Sequence, residues 1–238
     1  MSSQLPLALR WPAHQRFEGF VAGANGSALE ALQRASRFED RAWLYLHGAP
    51  GSGRTHLLVA ACAAANAGGR TAQYLSLASL RARRAEAIRG FGGSDLLALD
   101  DVDAIAGERD AEHALFDLYN RCRGENATML FSAALPPAQL GVGLPDLVSR
   151  LSACAQAALK PLADNERREA LRQRAQARGL TLDDAVLDWL FARTQRDLGS
   201  LTTLLDRLDR ESLAAQRRIT VPFLRQLLEG ERDPGQLF

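Results

Sequence analysis

The sequence has little lysine, cysteine or aromatic residue, and each scarcity excludes a class of protein. Lys160 is the only lysine, so nearly all of the cations are arginines. The three cysteines, Cys62, Cys122 and Cys154, are odd in number and widely spaced, which argues against a disulfide scaffold and a zinc site. Aromatic residues make up only 6% of the chain while alanine is abundant, which favours helices over an all-β fold.

The net charge and the length of the apolar runs exclude further classes of protein. The net charge of +1 gives no general attraction to nucleic acids or to acidic membranes. The longest apolar run, 57–65, is much shorter than the ~20 residues that span a bilayer. The N-terminus lacks the basic and then apolar pattern of a secretory signal, so we predict a cytoplasmic protein.

Strands and helices are predicted to alternate over the first two thirds of the chain. The expected strands are 42–46, 71–75, 96–99, 128–132 and 155–159. The expected helices are 28–36, 54–66, 77–88, 108–123 and 144–151. Strands that are separated by helices pair in parallel, so this pattern predicts a three-layer α/β domain.

The pattern becomes purely helical after Pro161. Helices are expected at 164–178, 183–193, 198–217 and 221–229, with Asp183 and Thr220 at N-cap positions. The predicted organisation is therefore an N-terminal arm at 1–22, an α/β domain at 23–161, a helical domain at 162–230 and a tail at 231–238.

A glycine-rich segment between the first strand and the next helix is the sharpest motif. It reads Gly-Ala-Pro-Gly-Ser-Gly-Arg-Thr over residues 48–55. Glycines let the backbone wrap a phosphate, and the amide groups at the start of the helix point towards it. Arg54 stands where the consensus has lysine, and the hydroxyl of Thr55 can bind Mg²⁺. The segment therefore predicts a nucleotide-phosphate loop.

Polar residues at two later strand ends complete the expected site. Asp100 follows the strand 96–99 and is expected to hold Mg²⁺ through water, while Asp101 is placed to polarise an attacking water. Ser132 ends the next strand and is a candidate sensor of the γ-phosphate, although an ordinary strand-end serine is equally consistent.

Arg150 is a candidate arginine finger. Leu144, Leu147 and Leu151 form the apolar face of the helix 144–151, and Arg150 lies off that face. An arginine at a domain edge can enter a neighbour's nucleotide site, where such a residue accelerates hydrolysis by ~10³–10⁵ in other NTPases. A solvated surface arginine is the alternative.

Together these residues resemble the AAA+ ATPases of the bacterial initiator clade, and within it the regulatory inactivators of the replication initiator DnaA. The strings that carry the resemblance are Gly-Ser-Gly-Arg-Thr-His-Leu-Leu at 51–58, Phe-Asp-Leu-Tyr-Asn-Arg at 116–121, Leu-Pro-Asp-Leu-Val-Ser-Arg-Leu at 144–151 and Leu-Leu-Asp-Arg-Leu-Asp-Arg at 204–210. The resemblance implies a P-loop three-layer α/β/α domain with a parallel sheet, followed by a small all-α lid. Arginine in the phosphate loop is common in that family.

The resemblance also implies a bound nucleotide, ADP or ATP, with Mg²⁺. The expected nucleotide-binding residues are Gly48, Pro50, Gly51, Ser52, Gly53, Arg54, Thr55, His56 and Arg196. The family places a sensor-2 arginine in the lid, and we align Gly199 with it. Arg196 lies three residues earlier and is the expected substitute, so weakened ADP binding is expected.

Two protein partners follow from the resemblance. Gln4, Leu5, Leu7 and Leu9 match the family's peptide for the sliding clamp (β subunit) of DNA polymerase III. The clamp-bound chain is then expected to meet DnaA and to stimulate hydrolysis of DnaA-bound ATP through Arg150 in trans. The near-neutral charge, and a chain that ends about where the initiator's DNA-binding domain begins, predict no direct sequence-specific DNA binding.

The sequence is consistent with three alternative functions. The chain is more consistent with an activator of DnaA hydrolysis, and so a negative regulator of replication initiation, than with an efficient ATPase. A helicase-loader-like enzyme that hydrolyses its own ATP is one alternative, since Asp101 occupies the catalytic position. A clamp-docking adaptor with an inactive nucleotide site is the other, and a homodimer is compatible with each.

Overall fold

A computed structural model of the chain describes residues 11–12, 15–40, 42–193, 205 and 219–229. The chain divides after Pro161 into two compact units, Met1–Pro161 and Leu162–Phe238. The first unit contains the sheet, and the described elements of the second are helices.

The first unit is built on a parallel sheet of five strands in the order β2-β3-β4-β1-β5. The strands are β1 Leu44–His47, β2 Ala72–Ser76, β3 Leu96–Asp100, β4 Thr128–Ala133 and β5 Ala155–Ala158. β3 and β4 are buried at every residue, as expected for strands covered on both faces. The prediction of a parallel α/β sheet is confirmed.

Helices cover both faces of this sheet. They are α1 Gly26–Ser36, α2 Arg54–Ala67, α3 Arg84–Gly90, α4 Arg109–Gly124 and α5 Pro145–Ser152. Leu44 and Leu46 pack with α1 and α2 in one core. Tyr45, between them, packs with α3, α4 and α5 in a second core. Successive strand residues point to opposite faces, so the alternation produces three layers.

The prediction of one helix over 77–88 is wrong. A 3₁₀ segment, Ala78–Arg83, precedes α3, and Arg81 breaks the helical path with φ 47° and ψ −124°. Leu77 is fully buried, its amide donates to the Asp100 carbonyl (3.0 Å) and its carbonyl accepts from Arg84 Nε (2.8 Å). These bonds anchor the start of the segment to β3 and to the first residue of α3, and the left-handed φ of Arg81 separates the two helical pieces.

The second unit contains the described helices α6 Asp164–Gln176, α7 Asp184–Arg193 and α8 Val221–Glu229. The two predicted N-caps are present. Asp183 Oδ1 accepts from the amide of Val186 (2.8 Å), and Thr220 Oγ1 accepts from that of Phe223 (3.4 Å). Except for Leu205, the predicted helix 198–217 lies outside the described residues. Among the helices that the structure describes, none has the length and apolar character needed to cross a membrane.

Candidate functional site

The glycine-rich segment lies at the carboxyl end of β1 and turns directly into α2. Gly51 and Gly53 have positive φ angles of 79° and 96°, and Gly53 is the N-cap of α2. A Cβ on Gly48 would lie 2.5 Å from the carbonyl oxygen of Leu159. Glycine is therefore required at Gly48 by close packing and at Gly53 by backbone conformation.

Two polar atoms of this segment fit a phosphate ligand. Within the described part of the chain, Ser52 Oγ and Arg54 Nη1 are buried without a hydrogen-bond partner. The first amide groups of α2 have no acceptor within the helix, and the helix dipole favours an anion there. A phosphate group would satisfy these donors together, so the residues present fit the expected nucleotide.

Asp100, at the end of β3, accepts hydrogen bonds from three hydroxyl groups on surrounding elements. Its side chain is 1% exposed. Asp100 Oδ2 accepts from Thr55 Oγ1 (2.6 Å) and from Tyr74 Oη (2.7 Å), while Oδ1 accepts from the Ser132 hydroxyl. Burial, and then the charge of Asp100, raises the pKa of the Tyr74 hydroxyl, which therefore stays protonated as a donor.

The pair of Thr55 and Asp100 fits a magnesium ion. Hydroxyl and carboxylate oxygens are the ligands that Mg²⁺ prefers, and Mg²⁺ completes its shell with water and phosphate oxygens. Among the described residues, no group of three or more histidine, cysteine, aspartate or glutamate side chains could hold a metal ion. A metal bound here would neutralise charge on a nucleotide phosphate.

Asp101 is held beside the phosphate loop in an unusual backbone conformation. Its φ and ψ of 57° and 51° are left-handed, and its Oδ1 lies 3.8 Å from Arg54 Nη2. Ser76 Oγ donates to its carboxylate (3.4 Å). Burial raises the pKa of the Asp101 carboxyl, the charge of Asp100 raises it further, and Arg54 opposes the rise.

Ser132, the candidate sensor, is fully buried between these two aspartates. Its hydroxyl donates to Asp100 and accepts from the amide of Asp101 (3.3 Å). It therefore links β4 to the end of β3, where it orients the Asp100 carboxylate and binds the backbone of Asp101. A contact of Ser132 with a γ-phosphate stays a prediction.

His56, expected to bind the nucleotide, faces the segment that precedes α1. Its Nε2 lies 2.8 Å from the carbonyl oxygen of Arg16, and its ring centroid is 5.4 Å from that of Phe20. Phe20 also covers the loop, since a Cβ on Gly53 would lie 2.6 Å from Phe20 Cε2. Residues 16–20 thus pack against the start of α2, and a His56–nucleotide contact stays a prediction.

Arg150 lies at the opposite end of the sheet from the phosphate loop. It is exposed in the last turn of α5, whose Leu147 and Leu151 are fully buried. β5 follows α5, and its first residue, Ala155, pairs with the first residue of β1. The phosphate loop follows the other end of β1, and four residues of strand span ~13 Å.

Two family models match the chain. The bacterial DnaA ATPase domain matches residues 12–158, and the lid domain of Hda matches residues 164–228. The chain belongs to the Hda-type, DnaA-related AAA+ proteins. The Hda-type lid accounts for the helical second unit, and the AAA+ domain for the parallel sheet.

Solved structures share the AAA+ fold of this Hda-type chain. Domain III of DnaA from Thermotoga maritima is 21% identical, with a TM-score of 0.77, over 94% of this chain and 99% of that one. AMPPCP-bound DnaA from Aquifex aeolicus is 23% identical, with a TM-score of 0.67, over 87% and 69% of the two chains. Thermotoga maritima RuvB is 18% identical, with a TM-score of 0.60, over 86% and 67%.

The Hda-type site brings together five residues from three predicted motifs and adds one residue that sequence reasoning missed. Arg54, Thr55, Asp100, Asp101 and Ser132 meet at the carboxyl edge of the sheet. Tyr74 on β2 was missed, although β2 pairs with β3 in the register that sets Ser76 beside Asp100. The predicted clamp residues Gln4, Leu5, Leu7 and Leu9, and the lid residues Arg196 and Gly199, lie outside the described residues.

Proposed function

We propose that this chain is a negative regulator of chromosomal replication initiation that stimulates hydrolysis of DnaA-bound ATP. The two family-model matches support a DnaA-related regulator. In this proposal the chain docks on the DNA-loaded sliding clamp through residues 4–9 and inserts Arg150 into the nucleotide site of DnaA. DnaA that is left with ADP no longer initiates.

The position of Arg150 is the observation that carries the proposal. Arg150 is exposed, and its Cζ lies 5.8 Å from the centroid of the Tyr119 ring. Because its own phosphate loop is at the other end of the sheet, Arg150 acts on a nucleotide held by another molecule. A cation at the γ-phosphate stabilises the charge of the transition state.

The chain's own site holds ADP or ATP with Mg²⁺ in this proposal. The amides at the start of α2, Ser52 Oγ and Arg54 bind the phosphates, and Thr55 with Asp100 holds the metal. AMPPCP is bound in the similar DnaA structure from Aquifex aeolicus, which agrees with a nucleotide at this loop. The bound nucleotide serves to stabilise the fold of the α/β unit.

The decisive experiment measures hydrolysis of DnaA-bound ATP with DNA-loaded clamp, with and without this chain. Arg150→Ala should lower the stimulated rate by at least about a hundredfold, as for other arginine fingers. Arg37→Ala is the matched control, because Arg37 is exposed and follows α1 on the other face of the sheet. Undiminished stimulation by Arg150→Ala would refute the finger.

The clamp contact is tested separately. Changing Gln4 and Leu5 together to alanine should abolish capture of the chain by immobilised clamp, since an extended peptide binds through a few anchored side chains. Changing Ser2 and Ser3 to alanine is the control. Equal capture of both variants would exclude residues 4–9 from the contact.

Hydrolysis of its own ATP is the second candidate function. The assembled cluster of Arg54, Asp101 and Ser132 favours it, since Asp101 lies where a water-polarising carboxylate is expected. Steady-state turnover by the isolated chain separates the candidates. The regulator proposal expects turnover far below the rate at which the chain stimulates DnaA.

A further inference from the structure

Glu112 is a buried carboxylate outside the nucleotide site. It lies in the first turn of α4 and is 3% exposed. Its Oε1 accepts from the amides of Gly107 (2.9 Å) and Gly143 (3.0 Å), and its Oε2 accepts from the amide of Leu144 (2.9 Å). Within the described part of the chain, no cation pairs with it. Three backbone donors thus replace the water that an ionised carboxylate loses on burial.

The donors belong to two segments that carry functional residues. Gly107 follows the 3₁₀ segment Val102–Ile105, which begins directly after Asp101. Leu144 is the N-cap of α5, the helix of Arg150, and leucine has no side-chain oxygen with which to cap it. The Glu112 carboxylate instead binds the amides of Gly143 and Leu144, directly before the first turn of α5, and its negative charge is favourable at the N-terminus of that helix.

Helix α4 contacts α5 again at its other end. Tyr119, two turns after Glu112, lies with its ring centroid 5.8 Å from Arg150 Cζ. Leu147 and Leu151 are fully buried and fix the rotation of α5 about its axis. Glu112 thus fixes the start of α5, the buried leucines fix its rotation, and the contact with Tyr119 fixes its end.

We propose that Glu112 is a positioning residue for Arg150: by binding the amides of Gly143 and Leu144 it sets the axis of α5, and with it the direction of the exposed guanidinium. This inference rests on the proposed function of Arg150. A displacement of ~1 Å at a catalytic group can cost ~10²-fold in rate, so a small shift of a short helix matters.

The test compares Glu112→Gln with Glu125→Gln in the full chain. Glutamine keeps the shape but turns an NH₂ group towards backbone donors, whereas Glu125 is exposed at the far end of α4. Hydrogen exchange of the isolated chain should become faster at residues 143–152 in Glu112→Gln only. The maximal stimulated rate of DnaA ATP hydrolysis should fall about ten- to a hundredfold. The concentration of the chain that gives half-maximal stimulation should stay unchanged. A general folding defect would instead raise that concentration, because fewer chains would be active.

Glu112→Asp provides the milder variant should Glu112→Gln fail to fold. It keeps the charge, so its loss of maximal rate should be smaller than that of glutamine. A fully stimulating Glu112→Gln, beside an inactive Arg150→Ala, would overturn the inference alone; where the glutamine variant does not fold, a fully stimulating Glu112→Asp would do so. Unchanged stimulation by Arg150→Ala would instead overturn the proposed function, and the exchange measurement would still report whether Glu112 holds α5.

Discussion

Asp101 is held in a conformation and an electrostatic environment that both cost folding free energy. Its left-handed backbone is uncommon for a residue with a Cβ, although asparagine and aspartate tolerate it best. Burial raises the pKa of its carboxyl, and the neighbouring charge of Asp100 raises it further. Strain and unfavourable charge are retained at functional sites when they serve the site.

Asp101→Asn should therefore stabilise the protein. A raised pKa means that ionised Asp101 costs stability above that pKa, whereas the cost vanishes at acid pH, where folded and unfolded states are both protonated. The variant should raise the melting midpoint by about 1–3 °C at pH 7, and the gain should shrink as the pH falls. Calorimetry at several pH values measures it. Asp110→Asn, at an exposed ion pair with Arg89, is the control, and a lower midpoint for Asp101→Asn would contradict the argument.

Site residues that lie within one motif, at a strand end or a helix start, could be predicted from the sequence. Residues that contact the site from distant segments or neighbouring strands could not. Arg54, Thr55, Asp100 and Asp101 follow from strand ends and from the turn that opens α2. Glu112 bonds to a residue 31 positions away, and this distance in sequence leaves no periodic signal. The same holds for contacts between neighbouring strands, whose register a single sequence does not specify.

The loop between β1 and α2 depends on Gly53 for two separate reasons. Its φ of 96° is unfavourable for any other residue, and an added Cβ would lie 2.6 Å from Phe20 Cε2. Gly53→Ala should lower the free energy of unfolding by about 1–3 kcal/mol and weaken ADP binding, because the backbone that wraps the phosphate must move. Chemical denaturation and calorimetric titration with ADP measure the two effects.

The control for this element is Gly68→Ala at the other end of α2. Gly68 has φ −81°, and its nearest contact to an added Cβ, the carbonyl oxygen of Ala65, is an ordinary 3.4 Å. It should change stability by less than about 0.5 kcal/mol and leave ADP binding unchanged. Replacing Phe20 by alanine in the Gly53→Ala chain should recover only part of the loss, since φ stays positive.

At the scale of elements, the helix at 77–88 shows where periodicity fails. The predicted apolar pattern is present, but Leu77 is bonded to Asp100 and to Arg84, and the left-handed backbone of Arg81 divides the segment. Local propensity is a weak prior where a segment is tied to a neighbouring strand. The longer helices α2 and α4 formed where predicted because their apolar faces meet the sheet along several turns.

The whole molecule places its phosphate loop and Arg150 at opposite ends of one sheet. The carboxyl end of β1 carries the loop, and the amino end of β5 adjoins the helix of Arg150. Arg150 therefore cannot reach the phosphate loop of its own chain. Under the proposed function, hydrolysis that needs Arg150 requires a second molecule, and its rate per chain should rise with the concentration of the chain.

This geometry predicts that the finger and the pocket can be inactivated independently. Asp101→Asn should remove the carboxylate that we propose to polarise water in the chain's own site, yet keep stimulation of hydrolysis of DnaA-bound ATP within about twofold, because Arg150 is unchanged. Arg150→Ala should retain ADP normally but lower the stimulated rate of hydrolysis of DnaA-bound ATP by about a hundredfold or more. Hydrolysis by DnaA measured with each variant at equal clamp occupancy decides between the two candidate functions. If the chain is a regulator, only the Arg150→Ala variant should lose stimulation. Loss of stimulation in Asp101→Asn would mean that the chain must hydrolyse its own nucleotide to act.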